Sequence, residues 1–370
     1  MLINKKSRLI FFNIFIFIII ILFSSCKIIS LKEKNNKKYD NQKNNFDIKA
    51  AYDSVDTYMK ELITGDIKNI EKFYSNKLLK SIKNDVKSDV KVNGYIIDEI
   101  NEVGKSGIFK ISVTMNSIDK PYSVLDERVI KVIKEDKDYK IDEIKSTVKR
   151  EAFIVENSIR LRNENNTDTN LILDIKNIPN YIFTKSNKTN MYKIQVPREE
   201  FDNINFSYDG KSLAISTYNK DSFIGIVNID ESLNVQGEKE DEEKDKKGEE
   251  ENNQKKAKEM PVGKEIIPLD IIRDSKIENL VFSLDKKFIL VQYKSNSGNS
   301  SIRIYNSDTG EIIPFKFEEK YSIDKLNVKY NYFNKNELNF IVSSIDKKDS
   351  NNKLVGKWKL DLKDFKSKKK

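Results

Sequence analysis

INFSYDGKSLAIST (204–217) and LVFSLDKKFILVQY (280–293) are two copies of one pattern, and YNYFNKNELNFIVS (330–343) is a looser third. Each copy reads as strand, tight polar turn, strand. Asp209-Gly210 and Asp285-Lys286 sit where the chain must reverse, whereas the third copy has lost the Asp-Gly turn. A further strand follows each hairpin: FIGIVNI from Phe223, SIRIYN from Ser301 and KWKLDL from Lys357. A hairpin plus strand recurring in this way predicts an all-β region of similar small sheets over residues 151–363. Between the first two copies lies QGEKEDEEKDKKGEEENNQKKAKE, which has no large apolar residue and is expected to be a disordered charged insertion at 236–262.

Upstream, residues 47–150 change character. Ile48, Tyr52, Val55, Met59 and Leu62 recur at spacings of four and three, which predicts one helix with a single apolar stripe, ended by Gly65. Asp66 then stands as N-cap for a short second helix with Ile67, Ile70, Phe73 and Tyr74 inside, and a third stretch carries Leu78, Leu79 and Ile82. After Gly94 the period becomes two. Phe109, Ile111, Val113 and Met115 alternate with Lys110, Ser112 and Thr114, and further strands are expected at 95–103, 124–134 and 139–144. Helices followed by an antiparallel meander predict an α+β domain.

The chain opens with MLINKKSRLIFFNIFIFIIIILFSSC, and Cys26 is the only cysteine. Lys5, Lys6 and Arg8, the apolar run Leu9 to Phe23, and Ser24-Ser25 before Cys26 resemble a bacterial lipoprotein signal peptide over residues 1–25. Phe23 stands where the family prefers Leu, Val or Ile. The resemblance implies that Cys26 carries the lipid, that the membrane is a partner through that lipid, and that the rest faces away from the cytoplasm. The alternative is an uncleaved anchor, for which the run is short of the about 20 apolar residues a spanning helix needs. Residues 26–46, rich in Lys and Asn, are expected to form a flexible tether on the order of 25 Å in reach.

Composition excludes much chemistry. The chain has no histidine and commits its one cysteine to lipid, which removes Ser-His-Asp and Cys-His catalysis, disulfides and nearly every zinc site. Loss of Lys5, Lys6 and Arg8 with the leader lowers the formal net charge from +9 to +6, a mild excess over this length. Outside a cell a basic surface meets anionic headgroups and wall polymers, not nucleic acid. Lys366, Lys368, Lys369 and Lys370 are expected to be a frayed basic tail over 364–370.

Two further resemblances extend these readings. AAYDSVDTYMKELITGDIKNIEKFYSNKLLKSIK is similar in layout to the start of nuclear-transport-factor-2-like (SnoaL-like) cone domains. Some members of that superfamily are isomerases or hydratases using His and Asp, and this chain has no His. The phrase F-S-x-D-G-K-x-L-A resembles TolB-like and WD-repeat β-propeller blades, with FIVENSIRL, NLILDIKN and MYKIQV supplying a degenerate first blade and room for about four. Such a region either closes or remains an open stack.

Other candidates recede. NENNTDTN from Asn163 lacks the glycine and terminal glutamate of a calcium loop, and Trp358 in its strand is expected to pack. No catalytic residue, metal ligand or cofactor is nominated, and no carboxylate pair is expected between the first sheet and the helix around Val55 and Met59. The expected function is a non-enzymatic cell-envelope lipoprotein that binds or scaffolds a protein or wall component. The alternatives are a small-ligand or enzymatic pocket in the first domain, and an accessory role in spore formation or germination.

Overall fold

The computed structural model describes residues 46–65, 67–82, 89–183, 193–232, 259–346 and 353–370. Cys26, the leader, nearly all of the tether, Asp66 and the charged insertion up to residue 258 lie outside them. The chain divides into Met1–Asn45 and a second unit, Phe46–Lys370, which holds every element below.

Helices come first. Helix α1 (Ile48–Thr64) starts at Asp47, whose carboxylate accepts the backbone N–H groups of Lys49 and Ala50. It stops at Gly65, where the left-handed backbone suits a residue without Cβ. Its buried face is Ala51, Val55, Tyr58, Met59 and Ile63, rotated from the expected stripe so that Tyr52 is 38% exposed. Small Ala51 permits close approach to the sheet, and Tyr58 turns its hydroxyl to that of Tyr74, 3.3 Å away. A 3₁₀ segment, Ile67–Phe73, and a short helix α2 (Asn76–Ser81) complete the layer. Leu79 and Ile82, expected inside, are exposed.

Beyond the helices the chain is β-rich, with several antiparallel sheets. Strands β1 (Val90–Val103), β2 (Ser106–Ser117), β3 (Tyr122–Glu135), β4 (Asp138–Val155), β5 (Ser158–Asn163) and β6 (Asn170–Asp174) form one partly curled sheet in sequence order. The expected domain boundary at residue 150 thus falls inside an uninterrupted strand. β5 and β6, expected to open the next repeat, instead extend the first sheet. Its inner face is filled where it meets α1: Phe109, Ile111, Val113, Ile130, Val132 and Ile141 pack with Val55 and Met59, all completely buried. These side chains are close-packed against the helix.

A short pair, β7 (Tyr181–Phe183) and β8 (Lys193–Gln195), precedes three sheets that carry the repeats. The first contains β9 (Glu200–Phe206), β10 (Ser212–Tyr218), β11 (Ser222–Ile229) and β12 (Gly263–Ile272). β13 (Ser275–Phe282), β14 (Phe288–Ser295) and β15 (Ser300–Asn306) form the next. After a single turn of helix, α3 (Phe317–Lys320), β16 (Leu326–Asn334), β17 (Glu337–Ser344), β18 (Gly356–Asp361) and β19 (Ser367–Lys369) form the last. The basic C-terminus, expected to fray, ends as a strand on β18, with Trp358 opposite Lys369. Trp358 itself is buried, stacks on Phe340 and donates its Nε1–H to the Leu354 carbonyl at 2.7 Å.

The two clear repeats agree down to single hydrogen bonds. Ser207 Oγ donates to Asp209 Oδ1 at 2.7 Å, and Ser283 Oγ does the same to Asp285 Oδ1 at 2.7 Å. Each serine oxygen also accepts the N–H that opens the next strand, from Ser212 and from Phe288, both at 3.0 Å. The first strand of each sheet faces its neighbours: β9 lies beside β13 and against β2 and β3, while β16 lies beside β15, β1 and α1.

Candidate functional site

Each of β1, β9, β13 and β16 contains one residue that the ladder with its neighbour skips. Between β1 and β2 the pairing passes from Val92↔Met115 to Gly94↔Thr114 and skips Asn93. Between β9 and β10 it skips Asp202, between β13 and β14 Glu278, and between β16 and β17 Asn331. A β-bulge bends its strand and re-aims the extra side chain. All four skipped residues line a single cavity of about 620 Å³ at the meeting of the four sheets. Its volume lies in the about 300–1,000 Å³ range of small-molecule sites.

The wall is rich in amides. Asn93, Asn116, Asn203 and Asn279 are buried, with Gln292 and Asn331 beside them. Asn116 Nδ2 donates to Asn203 Oδ1 at 3.3 Å. Gln292 is engaged at both ends of its amide, since Nε2 donates to Glu278 Oε2 (2.7 Å) and Oε1 accepts the Tyr330 N–H (2.7 Å). Asn93 is 1% exposed, and neither its side-chain Oδ1 nor its Nδ2 has a hydrogen-bond partner. Asn279 Oδ1 is likewise unpartnered. Leaving such groups without a partner costs about 1–3 kcal/mol each.

Charge is added by Lys91, Lys276, Lys294 and Lys329 and by Asp119, Asp202 and Glu278. Lys276 Nζ sits 3.1 Å from Asp202 Oδ1. Burial pushes the Asp202 carboxyl above the usual carboxylate range even so. Glu278 Oε2 accepts from Gln292 and from Ser300 Oγ (2.9 Å). Lys91 and Lys329, on β1 and β16, form no direct ion pair among the described residues, although the Glu278 carboxylate is near enough to favour the Lys91 charge. Enclosure by protein pushes the Lys91 ammonium below the ordinary lysine range, and the neighbouring Lys329 charge pushes it further.

The residues of this cavity were not singled out by sequence reasoning, although a signal existed. Asp202-Asn203 and Glu278-Asn279 stand at the same distance ahead of the two hairpin turns, so the repeat extends two residues upstream of the aligned phrase. The buried carboxylates of the first sheet are separately tied: Asp126 accepts from Arg128 Nε (3.0 Å) and Ser146 Oγ (2.6 Å), and Asp142 from Ser75 Oγ (3.1 Å) and Lys77 Nζ (3.0 Å). Among the described residues, no group of three or more His, Cys, Asp or Glu side chains is placed to hold a metal ion. Among them, too, no helix is long and apolar enough to cross a membrane.

No family model and no curated relative matches the chain. Among solved structures it is similar to a candidate 6-phosphogluconolactonase from Bacteroides uniformis, at 10% identity over 60% of this chain and 69% of that one, with a TM-score of 0.23. It is similar as well to prolyl oligopeptidase B from Galerina marginata (10% identity, 78% of this chain and 42% of that one, TM-score 0.24). A puromycin-hydrolysing peptidase from Mycobacterium tuberculosis aligns at 6% identity over 74% of this chain and 52% of that one, with a TM-score of 0.19. The chain spans about half the length of the two peptidases.

Proposed function

We propose that this chain is a non-enzymatic binding module, anchored by a lipid on Cys26 to the outer face of a cell membrane, whose recognition site is the cavity where the four sheets meet. The single observation that carries the reading is the repeated bulge. Four strands from four sheets each spend one residue of ladder pairing to turn Asn93, Asp202, Glu278 or Asn331 toward a common space. All four strands are edge strands of their sheets, where a bulge re-aims a side chain away from the ladder.

In this reading the three repeat sheets are propeller-like blades, and the cone-like first sheet takes the position of a fourth. β1 contributes the innermost strand as β9, β13 and β16 do, which is the role a blade's first strand plays. The filled apolar core beneath α1 favours this site over a pocket in the cone. A binding role is favoured over catalysis because Asp202 and Glu278 are already held by Lys276, Gln292 and Ser300, and the chain has no histidine.

The test is to label cells with an alkyne fatty acid while they express the full chain with a photoreactive residue at Ile341, on the cavity wall. Label in the wild type, its absence from Cys26→Ala, and light-dependent attachment of envelope material at Ile341 are expected. A wild-type chain without label, or one that is attached only through residues far from the cavity, would overturn the reading.

A further inference from the structure

Residues 353–370 contain eight lysines against two aspartates, a side-chain excess of +6 that equals the excess of the whole chain once its leader is lost. The α-carboxylate of Lys370 lowers it by one. Strands β18 and β19 fix where these charges point. Trp358 and Leu360 are buried, so Lys357 and Lys359 project from the other face of the sheet. Lys359 lies opposite Lys368, and the Lys370 N–H donates to the Lys357 carbonyl at 2.9 Å, which sets Lys370 opposite Lys357. All four lysines thus share one face. Like charges directly opposite one another destabilise a sheet. Lysines on a free edge guard it against stray pairing, but β18 is an inner strand, and Lys357 has no such duty.

Only part of this charge is answered within the protein. Lys359 pairs with Glu337, and Asp361 stands opposite Glu337 in the next row of the same face. Lys370 Nζ lies 5.6 Å from the centre of the Tyr332 ring, which Lys60 Nζ approaches at 4.9 Å. Lys357 and Lys368 are exposed and form no ion pair among the described residues. In the other direction the row passes through Ile341 to Lys329 on the cavity rim, where Asp119 and Glu278 add negative charge. The positive stretch is therefore narrow. A broad anionic surface pressed on this face would meet Glu337 and Asp361 as well, whereas a single polymer strand along the seam of β18 and β19 would meet the lysines.

We propose that the outward face of β18 and β19 docks a linear polyol phosphodiester polymer, of the poly(glycerol phosphate) kind, with one phosphate at Lys357 and Lys370 and the next at Lys359 and Lys368. The two lysine pairs stand about 6.6 Å apart along the strands, close to the phosphate-to-phosphate step of an extended three-carbon diester. Lysine meets phosphate as a point charge and asks for no fixed orientation of it. Tyr332, the ring on this face, is taken by Lys60 and Lys370 and is not free to stack a base, which favours a polymer without bases over a nucleic acid. This surface is separate from the cavity, and it holds whether or not Cys26 carries lipid.

The test is titration of the full chain, in a non-ionic detergent, with a synthetic oligo(glycerol phosphate), and with oligothymidylate and oligogalacturonate of similar length. The glycerol phosphate polymer is expected to bind more tightly than either, and its affinity to fall more than about tenfold between about 50 and 200 mM salt. The double variant Lys357→Gln, Lys368→Gln should weaken binding about tenfold, and it should melt no lower than wild type because each change removes one of a like-charged pair. The double variant Lys145→Gln, Lys287→Gln removes two other well-exposed lysines and should stay within about twofold of wild type. No binding, equal loss in the two double variants, or equal binding of oligothymidylate or oligogalacturonate would overturn the proposal. So would attachment to phosphatidylglycerol vesicles that depends on Lys357 and Lys368 more than polymer binding does, which would assign the face to a bilayer. Photo-attachment at Ile341, which lies opposite Lys357, should persist in Lys357→Gln, Lys368→Gln where it arises in the cavity, so the two surfaces fail separately.

Discussion

A Cβ on residue 94 would fall inside the van der Waals envelope of the Tyr208 hydroxyl, so the glycine of β1 and the tyrosine of the first hairpin turn fit one another across two sheets. Tyr208 donates that hydroxyl to the Phe282 carbonyl at 3.2 Å, and Tyr330 donates its own to the Asn93 carbonyl at 3.0 Å. Four sheets are thus fastened within one residue of the bulge at Asn93. Gly94→Ala should destabilise the protein by about 1–3 kcal/mol through overpacking. Tyr208→Phe should recover part of the loss, leaving the ring carbon Cζ at 3.1 Å as the remaining obstacle. A double-mutant cycle by urea denaturation measures this, and a Gly94→Ala variant as stable as wild type would show that the sheets do not meet this closely.

The paired hairpin turns make a sharper comparison. Gly210 has φ of 68° and Lys286, at the same place in the second copy, φ of 61°. The left-handed backbone costs a residue with a Cβ about 1–2 kcal/mol. The Lys286 ammonium reaches back to Asp209 in the first turn, which offsets part of that cost. Lys286→Gly should therefore be neutral or stabilise by up to about 1 kcal/mol, since it relieves about 1–2 kcal/mol of strain and removes an exposed ion pair worth about 0–1 kcal/mol. Gly210→Ala has no compensation, because its Cβ would also lie 2.8 Å from Arg150 Cδ, and it should cost more than about 1 kcal/mol. Denaturation curves of both variants distinguish the two positions.

These turns were legible in the sequence because a reversal needs specific residues at specific places, and α1 was legible because Val55 and Met59 sit at helical spacing. Which sheet a strand joins is written less locally. β5 and β6 look like the start of another repeat, yet β5 pairs onto β4 and β6 onto β5, because a strand continues whichever edge its turn returns it to. The bulges were invisible for a related reason: one extra residue is a property of a pair of strands, and nothing in Asn93 or Asn331 alone announces it. Only Asp202-Asn203 and Glu278-Asn279, recurring at one offset before the hairpins, could have pointed to the cavity.

The short helix α2 depends on a carboxylate in β4. Asp142 is 7% exposed and accepts from Ser75 Oγ, the N-cap of that helix, and from Lys77 Nζ, with Lys131 Nζ 3.8 Å away. Burial pushes its carboxyl up, but the hydrogen bonds from Lys77 and Ser75 and the nearby charges outweigh it and hold the group below the usual carboxylate range. A carboxyl depressed in the folded state contributes stability that is present above its unfolded value of about 3.9 and is lost as pH falls through the folded value. Asp142→Asn should cost about 1–3 kcal/mol near neutral pH. The gap between variant and wild-type melting temperatures should narrow as the pH is lowered below about 4. A gap that stays constant across that range would mean that Asp142 acts through shape and not through charge.

The ends of the charged insertion are held together by the sheet itself. Ile229 pairs with Gly263, and the Asp230 N–H donates to the Val262 carbonyl at 2.8 Å. Val262 is completely buried, and Glu259 accepts from Arg160 Nη1 at 2.6 Å and from the Leu171 N–H at 2.8 Å, so the closing residues of the segment expected as one charged loop belong to the packed structure. Glu231 at the other end pairs with Arg150 at 2.7 Å. Residues 234–257, which lie outside the described part of the chain, connect two ends that are already adjacent in an antiparallel ladder. Removing them and joining the ends through a short Gly-Ser link shortens a loop whose closure entropy changes by only about 0.6 kcal/mol per doubling of length. The melting temperature of the deletion should therefore stay within a few degrees of wild type. Extending the deletion through Glu259 to Val262 should lower it much further, because a buried valine and the Arg160 contact go with it. If the shorter deletion already collapses the transition, the segment packs on the domain, and loop closure is not its only contribution.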